Sequence, residues 1–131
     1  MLHKRSKYNA VKTEIDGINF DSKLESRVYC HIRDNYSNIK WDRQVSYELL
    51  PKNDMYRAMV YKADFVFNND LVVDVKGGFI TPEFRLKQKL FYHIYHKPIL
   101  IVKSIKELDC LLQAYIGIPK VDSQNSEKTN L

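Results

Sequence analysis

Apolar positions along the chain fall into short segments of two kinds, one alternating and one recurring at helical spacing. Residues 12 to 20, "KTEIDGINF", alternate around Asp16-Gly17, a two-residue turn signal, and predict a small hairpin. Leu24, Val28 and Ile32 then recur at helical spacing behind Ser22 and Glu25, which form a capping-box pattern. They predict a helix from near Ser22 to between Asn35 and Ser37. Three strand candidates follow, at about 40–50, 55–67 and 71–76. Gly77-Gly78 interrupt the pattern, and Thr81-Pro82 open a second helix with Thr as N-cap and Pro in the first turn. Phe84, Phe91, Ile94 and Tyr95 share one side of that helix, which runs to about His96. Pro98 opens a short apolar strand, "ILIV", and Ser104 with Glu107 repeat the capping-box signature before a last helix that closes at Gly117.

The predicted order is helix, three strands, helix, strand, helix. A three-strand meander followed by a helical crossover gives an α/β (mixed α+β) fold with a four-stranded mixed sheet flanked by helices. With 131 residues the chain makes one domain. Residues 11–117 form that domain, 1–10 a basic arm, and 118–131 a polar tail that reads as disordered. Such a fold hosts many functions, so function has to come from a site.

The stretch "YKADFVFNNDLVVDVKGG", residues 61 to 78, is a hairpin pattern with charges where apolar side chains are expected. By alternation, Ala63, Phe65 and Phe67 share one face of the first strand, and Lys62, Asp64 and Val66 the other. In the second strand Leu71, Val73 and Val75 point one way, and Val72, Asp74 and Lys76 the other. If the hairpin closes symmetrically about Asn69, with a three-residue loop 68–70, Asp64 lies directly opposite Asp74. Opposed Cβ atoms are roughly 4.5–5.5 Å apart. Two ionised carboxylates at that separation repel by roughly 3 kcal/mol at an effective dielectric of 20. A divalent cation reverses the sign of that term and takes oxygen ligands. Lys76, one pleat beyond Asp74, is then placed to orient a water or to offset charge building on a phosphate. Two alternatives stay open: a two-residue loop at 69–70 puts the aspartates on opposite faces, and the carboxylates can instead pair with Lys62 and Lys76 on a solvated face.

Charge adds a partner class. Twenty-one Lys and Arg against sixteen Asp and Glu give +5, which suits a polyanion as well as an ordinary solvated surface. His3, Lys4, Arg5, Lys7 and Lys12 form the arm, and Arg85, Lys87 and Lys89 cluster on the second helix. No apolar run reaches the ~18 residues of a membrane span, and the basic start has no apolar stretch after it, so a cytosolic protein is expected. Cys30 and Cys110 belong to no CxxC pair and read as buried free thiols. His93 and His96 lack the neighbours of a zinc site.

Asp64, nine residues, Asp74, one residue, Lys76 resembles the signature of the PD-(D/E)XK nuclease superfamily, and the predicted order resembles its αβββαβ core. Together with "KTEIDGINFDSKLESRVY", "YKADFV" and "VVDVKGG…TPEFRLKQKLF", the chain from about residue 7 to 103 is similar to small phage-encoded members of that superfamily. The resemblance implies a restriction-endonuclease-like fold and a Mg²⁺-dependent endonuclease, with Mn²⁺ able to substitute. It implies metal ligands at Asp64, Asp74 and the Val75 backbone carbonyl, with Glu25 on the first helix completing the site. Glu25 is equally the last member of the Ser22 capping box. Lys87 or Gln88 is implied to face the scissile phosphate. Ala63 stands in place of the superfamily's Pro, and Asp74 in place of its commoner Glu, one methylene shorter. The leading expectation is a structure-selective nuclease of the Holliday-junction-resolvase kind, acting in phage DNA recombination or replication in the bacterial cytoplasm. It is expected to be a homodimer on branched DNA, with Lys4, Arg5, Lys7, Arg85, Lys87, Gln88 and Lys89 in contact with DNA and no organic cofactor. Another phage nuclease, or a DNA-binding protein that keeps the fold without cleavage, are the alternatives.

Overall fold

In the computed structural model, which describes residues 13–117, the Asp16-Gly17 turn closes a two-stranded hairpin of β1 (Thr13–Ile15) and β2 (Ile18–Phe20). Both turn residues have positive φ, 55° and 77°, as a tight hairpin turn requires. The arm residues Lys4, Arg5 and Lys7 and the tail lie outside the described residues. Helix α1 (Lys23–Asn35) starts where expected, with the Ser22 hydroxyl accepting from the Glu25 N–H at 3.1 Å. Strands β3 (Trp41–Leu50), β4 (Met59–Phe67) and β5 (Leu71–Val75) follow, then α2 (Pro82–Tyr95), β6 (Ile99–Val102) and α3 (Ile105–Gly117). The four-stranded sheet has the order β3-β4-β5-β6; its first two pairings are antiparallel and β5–β6 is parallel. The expected mixed sheet flanked by helices is the fold of this chain.

The turn that decides the register is the three-residue one. Phe67 pairs with Leu71 and Phe65 with Val73, and Asn68 and Asn69 both take φ 55°. Asparagine tolerates the left-handed region better than most residues, so the turn is chemically suited to its sequence.

Helices α1 and α3 cover one face of the sheet, packing Val28, Ile32, Leu108 and Leu112 on Phe65, Phe67, Val73 and Val102. Helix α2 covers the other, packing Phe84 and Phe91 on Tyr61, Val66, Val72 and Ile99. Ala63 belongs to this second cluster and not, as simple alternation predicts, with Phe65 and Phe67. The reason lies across the ladder. β3 and β4 pair at Arg43–Phe65 and at Val45–Ala63, but between these pairs Gln44 takes a left-handed φ of 54°. Val45 and Tyr47 pack on the α2 side, whereas the Arg43 guanidinium lies over the Phe20 ring at 4.7 Å on the α1 side. The strand pair therefore changes faces at Gln44 and Asp64.

Strand β4 begins later than its composition suggests. The Asn53 side-chain oxygen accepts from the N–H groups of both Met55 and Tyr56 at 2.8 Å, which holds that segment in a turn instead of a ladder. Of the two cysteines expected to be buried, Cys30 is half-buried and Cys110 is exposed on α3. Among the described residues no helix is long and apolar enough to cross a membrane.

Candidate active site

Asp74 follows Val72 onto the α2 side of β5 and is only 3% exposed. Its two oxygens have different surroundings. Oδ1 accepts a hydrogen bond from the Tyr61 hydroxyl at 2.9 Å. Oδ2 lies 3.0 Å from Lys76 Nζ, an ion pair whose alignment makes no hydrogen bond, so this buried oxygen has a charge partner and an unused lone pair. Burial, and then the Asp74 charge, push the Tyr61 hydroxyl far above the usual tyrosine range, which keeps it a donor. The Lys76 ammonium also sits 4.3 Å from the centroid of the Phe84 ring, a cation–π contact. Phe84 is set there by the start of α2, where the Thr81 hydroxyl accepts from the Phe84 N–H at 3.1 Å.

The β4–β5 ladder ends at the Phe65–Val73 pair, and Asp64 and Asp74 are the next residue of each strand beyond it, close enough that the Asp74 charge acts on the Asp64 carboxyl. Asp64 Oδ2 accepts from the Val75 N–H at 2.8 Å, which draws the carboxylate toward the end of β5. Its carboxyl is pushed up to about 7, by burial first and then by the charges of Asp74 and Glu25, against the opposing effects of the Val75 N–H and Lys76. Near neutrality the pair is therefore short of positive charge.

Glu25 has two roles open to it in sequence, and the structure separates them. In α3 a capping-box-like turn closes: the Glu107 carboxylate accepts from the Lys103 N–H, one residue before the cap, at 2.8 Å, while the Ser104 hydroxyl accepts from the Glu107 N–H. In α1 only half of it forms. The Glu25 carboxylate leaves the cap and meets Arg43 Nη2 at 3.5 Å and Gln44 Nε2 at 3.3 Å. Gln44 Nε2 also reaches Asp64 Oδ1 at 3.5 Å, so one amide spans two acids. Burial raises the Glu25 carboxyl, Arg43 lowers it, and Asp21 and Asp74 add to the rise. Glu25, Asp64 and Asp74 thus feel one another's charge. Even so, among the described residues no three His, Cys, Asp or Glu side chains form a ready cage for one ion.

Gly77 gives its open side to this chain's own Leu24: a Cβ there would lie 3.2 Å from Leu24 Cδ2. That close approach seats the first turn of α1, and with it Glu25, against the end of β5. Gly78 faces open space. Lys87 and Gln88 are engaged away from the acids. Lys87 Nζ donates to the Val60 carbonyl at 3.2 Å and lies 3.6 Å from Glu83, and Gln88 Nε2 donates to the Ile99 carbonyl at 3.4 Å. Arg85 donates to Gln88 Oε1 at 3.2 Å, and both line a concavity on the outer side of α2 with Lys89 and Tyr92.

Tyr61, Arg43 and Gln44 join the site without having been singled out in the sequence. Tyr61 reads there as one more strand aromatic, and a left-handed Gln in mid-strand leaves no compositional trace.

A divalent cation fits this donor set. The donors are oxygens, Asp74 Oδ2 is buried without a hydrogen bond, and Asp64 is driven toward protonation by burial first and then by neighbouring negative charge. Asp74 offers Oδ2 without a hydrogen bond, and Asp64 offers Oδ1, held only by the 3.5 Å contact from the Gln44 amide.

Fold and site define a mixed α+β protein whose sheet carries a buried aspartate, a half-buried second aspartate and a lysine paired with the first. The model of the family described as "Protein of unknown function (DUF1064)" matches residues 5–109, and the chain belongs to that family. No curated protein and no solved structure matches it.

Proposed function

We propose that this protein is a divalent-cation-dependent DNA endonuclease that hydrolyses phosphodiester bonds. The observation that carries this reading is the Asp64–Asp74 pair with Lys76 Nζ 3.0 Å from Asp74 Oδ2. Asp64, Asp74 and the Val75 carbonyl would hold Mg²⁺ or Mn²⁺, with Glu25 reaching it directly or through water. The bound ion would supply Lewis acidity toward a phosphate oxygen and a lowered pKa for water. Tyr61 fixes the rotamer of Asp74 by holding Oδ1, so that Oδ2 is the oxygen offered. The Val75 N–H does the same for Asp64. The Lys76 ammonium, buttressed by Phe84, lies beside the pair and would offset charge developing on the phosphate.

A structure-selective, Holliday-junction-resolvase-like role in phage recombination or replication is the specific form proposed. Phosphate and shape contacts suffice to recognise a branch. Paired nicks then call for a two-fold dimer. Arg85, Lys87 and Lys89 on α2 suit contacts to phosphate. A second reading, a DNA-binding protein without cleavage, draws on Glu25 being held by Arg43 and Gln44 and not gathered with the aspartates.

The test is incubation with Mg²⁺ or Mn²⁺ and linear duplex, single-stranded, flap or four-way-junction DNA. Symmetric paired nicks at the junction support resolution, and end-dependent degradation supports an exonuclease. Silence on every substrate, with junction binding unaltered in Asp74→Ala, supports the non-cleaving reading and removes the enzyme.

A further inference from the structure

Gln44 sits in the middle of β3, yet its backbone is left-handed, with φ 54°. Residues other than Gly, Asn and Asp rarely adopt that conformation, and strain of this kind persists where surrounding structure imposes it. The side chain is exposed, so burial does not account for its placement. What the conformation achieves is a position over the gap between two acids, where Nε2 donates to Glu25 Oε2 at 3.3 Å and to Asp64 Oδ1 at 3.5 Å. Both contacts are at the long end for hydrogen bonds. An amide NH₂ satisfies acceptors but brings no net charge, in keeping with both carboxyls remaining above their ordinary range.

We propose that Gln44 is a placeholder for the cation: its amide occupies the gap between Glu25 and Asp64 while no ion is bound, and is displaced when an ion enters. The proposal rests on the cation reading above and adds a positioning residue to it. A cation between the carboxylates repels the NH₂ end of the amide and attracts its Oε1. Binding therefore requires the side chain to turn about its terminal torsion or swing out to solvent, which its exposure permits. Glu25, freed from Gln44 and retaining only the 3.5 Å contact to Arg43, then turns toward the aspartates. This links the absence of a ready three-acid cage to one exposed side chain.

The test is titration of the intact protein with Mn²⁺ by calorimetry, alongside thermal midpoints in EDTA. Gln44→Ala removes the competitor and is expected to bind Mn²⁺ severalfold more tightly than wild type, with a lower midpoint in EDTA. Gln44→Gly, which also relieves the left-handed backbone, should keep the tighter binding and recover part of the EDTA midpoint. Gln44→Glu should bind most tightly and melt earliest in EDTA. If wild type binds Mn²⁺ but Gln44→Ala and Gln44→Gly bind it equally or more weakly, Gln44 is no placeholder, and the cation site stands without it. If wild type takes up no Mn²⁺, the cation reading and this proposal fall together.

Discussion

Tyr61 donates a 2.9 Å hydrogen bond to Asp74 Oδ1 from inside the aromatic cluster under α2, where its ring lies 5.8 Å from Phe91 and 6.1 Å from Phe84. A buried carboxylate is thus oriented by a hydroxyl three residues before the other carboxylate of the pair. Tyr61→Phe keeps the packing and leaves Asp74 Oδ1 without its donor. It is expected to cost about 1–3 kcal/mol in urea denaturation under EDTA. An unchanged midpoint takes Tyr61 out of the site.

Asp74→Asn keeps an acceptor for Tyr61 and removes the repulsion with Asp64 and Glu25, at the loss of the Lys76 ion pair. Cleavage should fall by at least about 100-fold, since even the outer partners of metal ligands cost 10–100-fold when removed. The thermal midpoint in EDTA should hold or rise. Marked unfolding of the metal-free variant counts against a repulsive pair.

The pH dependence of stability has a definite sign. Asp64 ionises near 4 when unfolded and at about 7 when folded, and Glu25 is shifted the same way. The folded protein therefore holds protons that the unfolded chain has released. Their contribution to stability falls as pH rises from about 4 to about 7 and is fully lost above that. In EDTA, Asp64→Asn should gain on wild type between pH 5 and pH 8. Mn²⁺ at pH 8 should restore wild type and leave Asp64→Asn behind. Equal pH profiles for the two proteins would exclude a raised Asp64.

The two adjacent glycines should respond differently. Alanine at 78 meets open space, whereas at 77 it presses on Leu24 at 3.2 Å. Gly77→Ala should be the less stable of the two, and Leu24→Ala should relieve much of the difference. Additive effects in that double-mutant cycle exclude the contact as the link between α1 and β5.

For DNA binding, Arg85→Gln with Lys89→Gln should lower affinity across sequences and flatten the salt dependence of log K by about 1–2. An unchanged slope moves the phosphate contacts elsewhere on the protein.

Much of this was legible in the chain itself. Capping residues, turn residues and the two periodicities fixed helix starts at Ser22, Thr81 and Ser104 and the order of elements along the chain, because these signals act within a few residues of one another. The register was legible only as a choice, since Asn68, Asn69 and Asp70 admit a two- or a three-residue turn, and the folded chain takes the three-residue one, with Phe67 paired to Leu71. The sequence by itself thus determined the elements and their order along the chain. Only the tertiary structure decided what each acid touches. Ser22-x-x-Glu25 and Ser104-x-x-Glu107 look alike as sequence, yet one Glu closes its cap and the other turns to β3. Local spacing cannot distinguish them, because the competing partners, Arg43 and Gln44, are eighteen and nineteen residues away. The change of face at Gln44, the loss of Gly77's open flank to Leu24 and the hydroxyl on Asp74 have the same origin. Each depends on groups distant in the chain that meet only when the sheet and its helices pack.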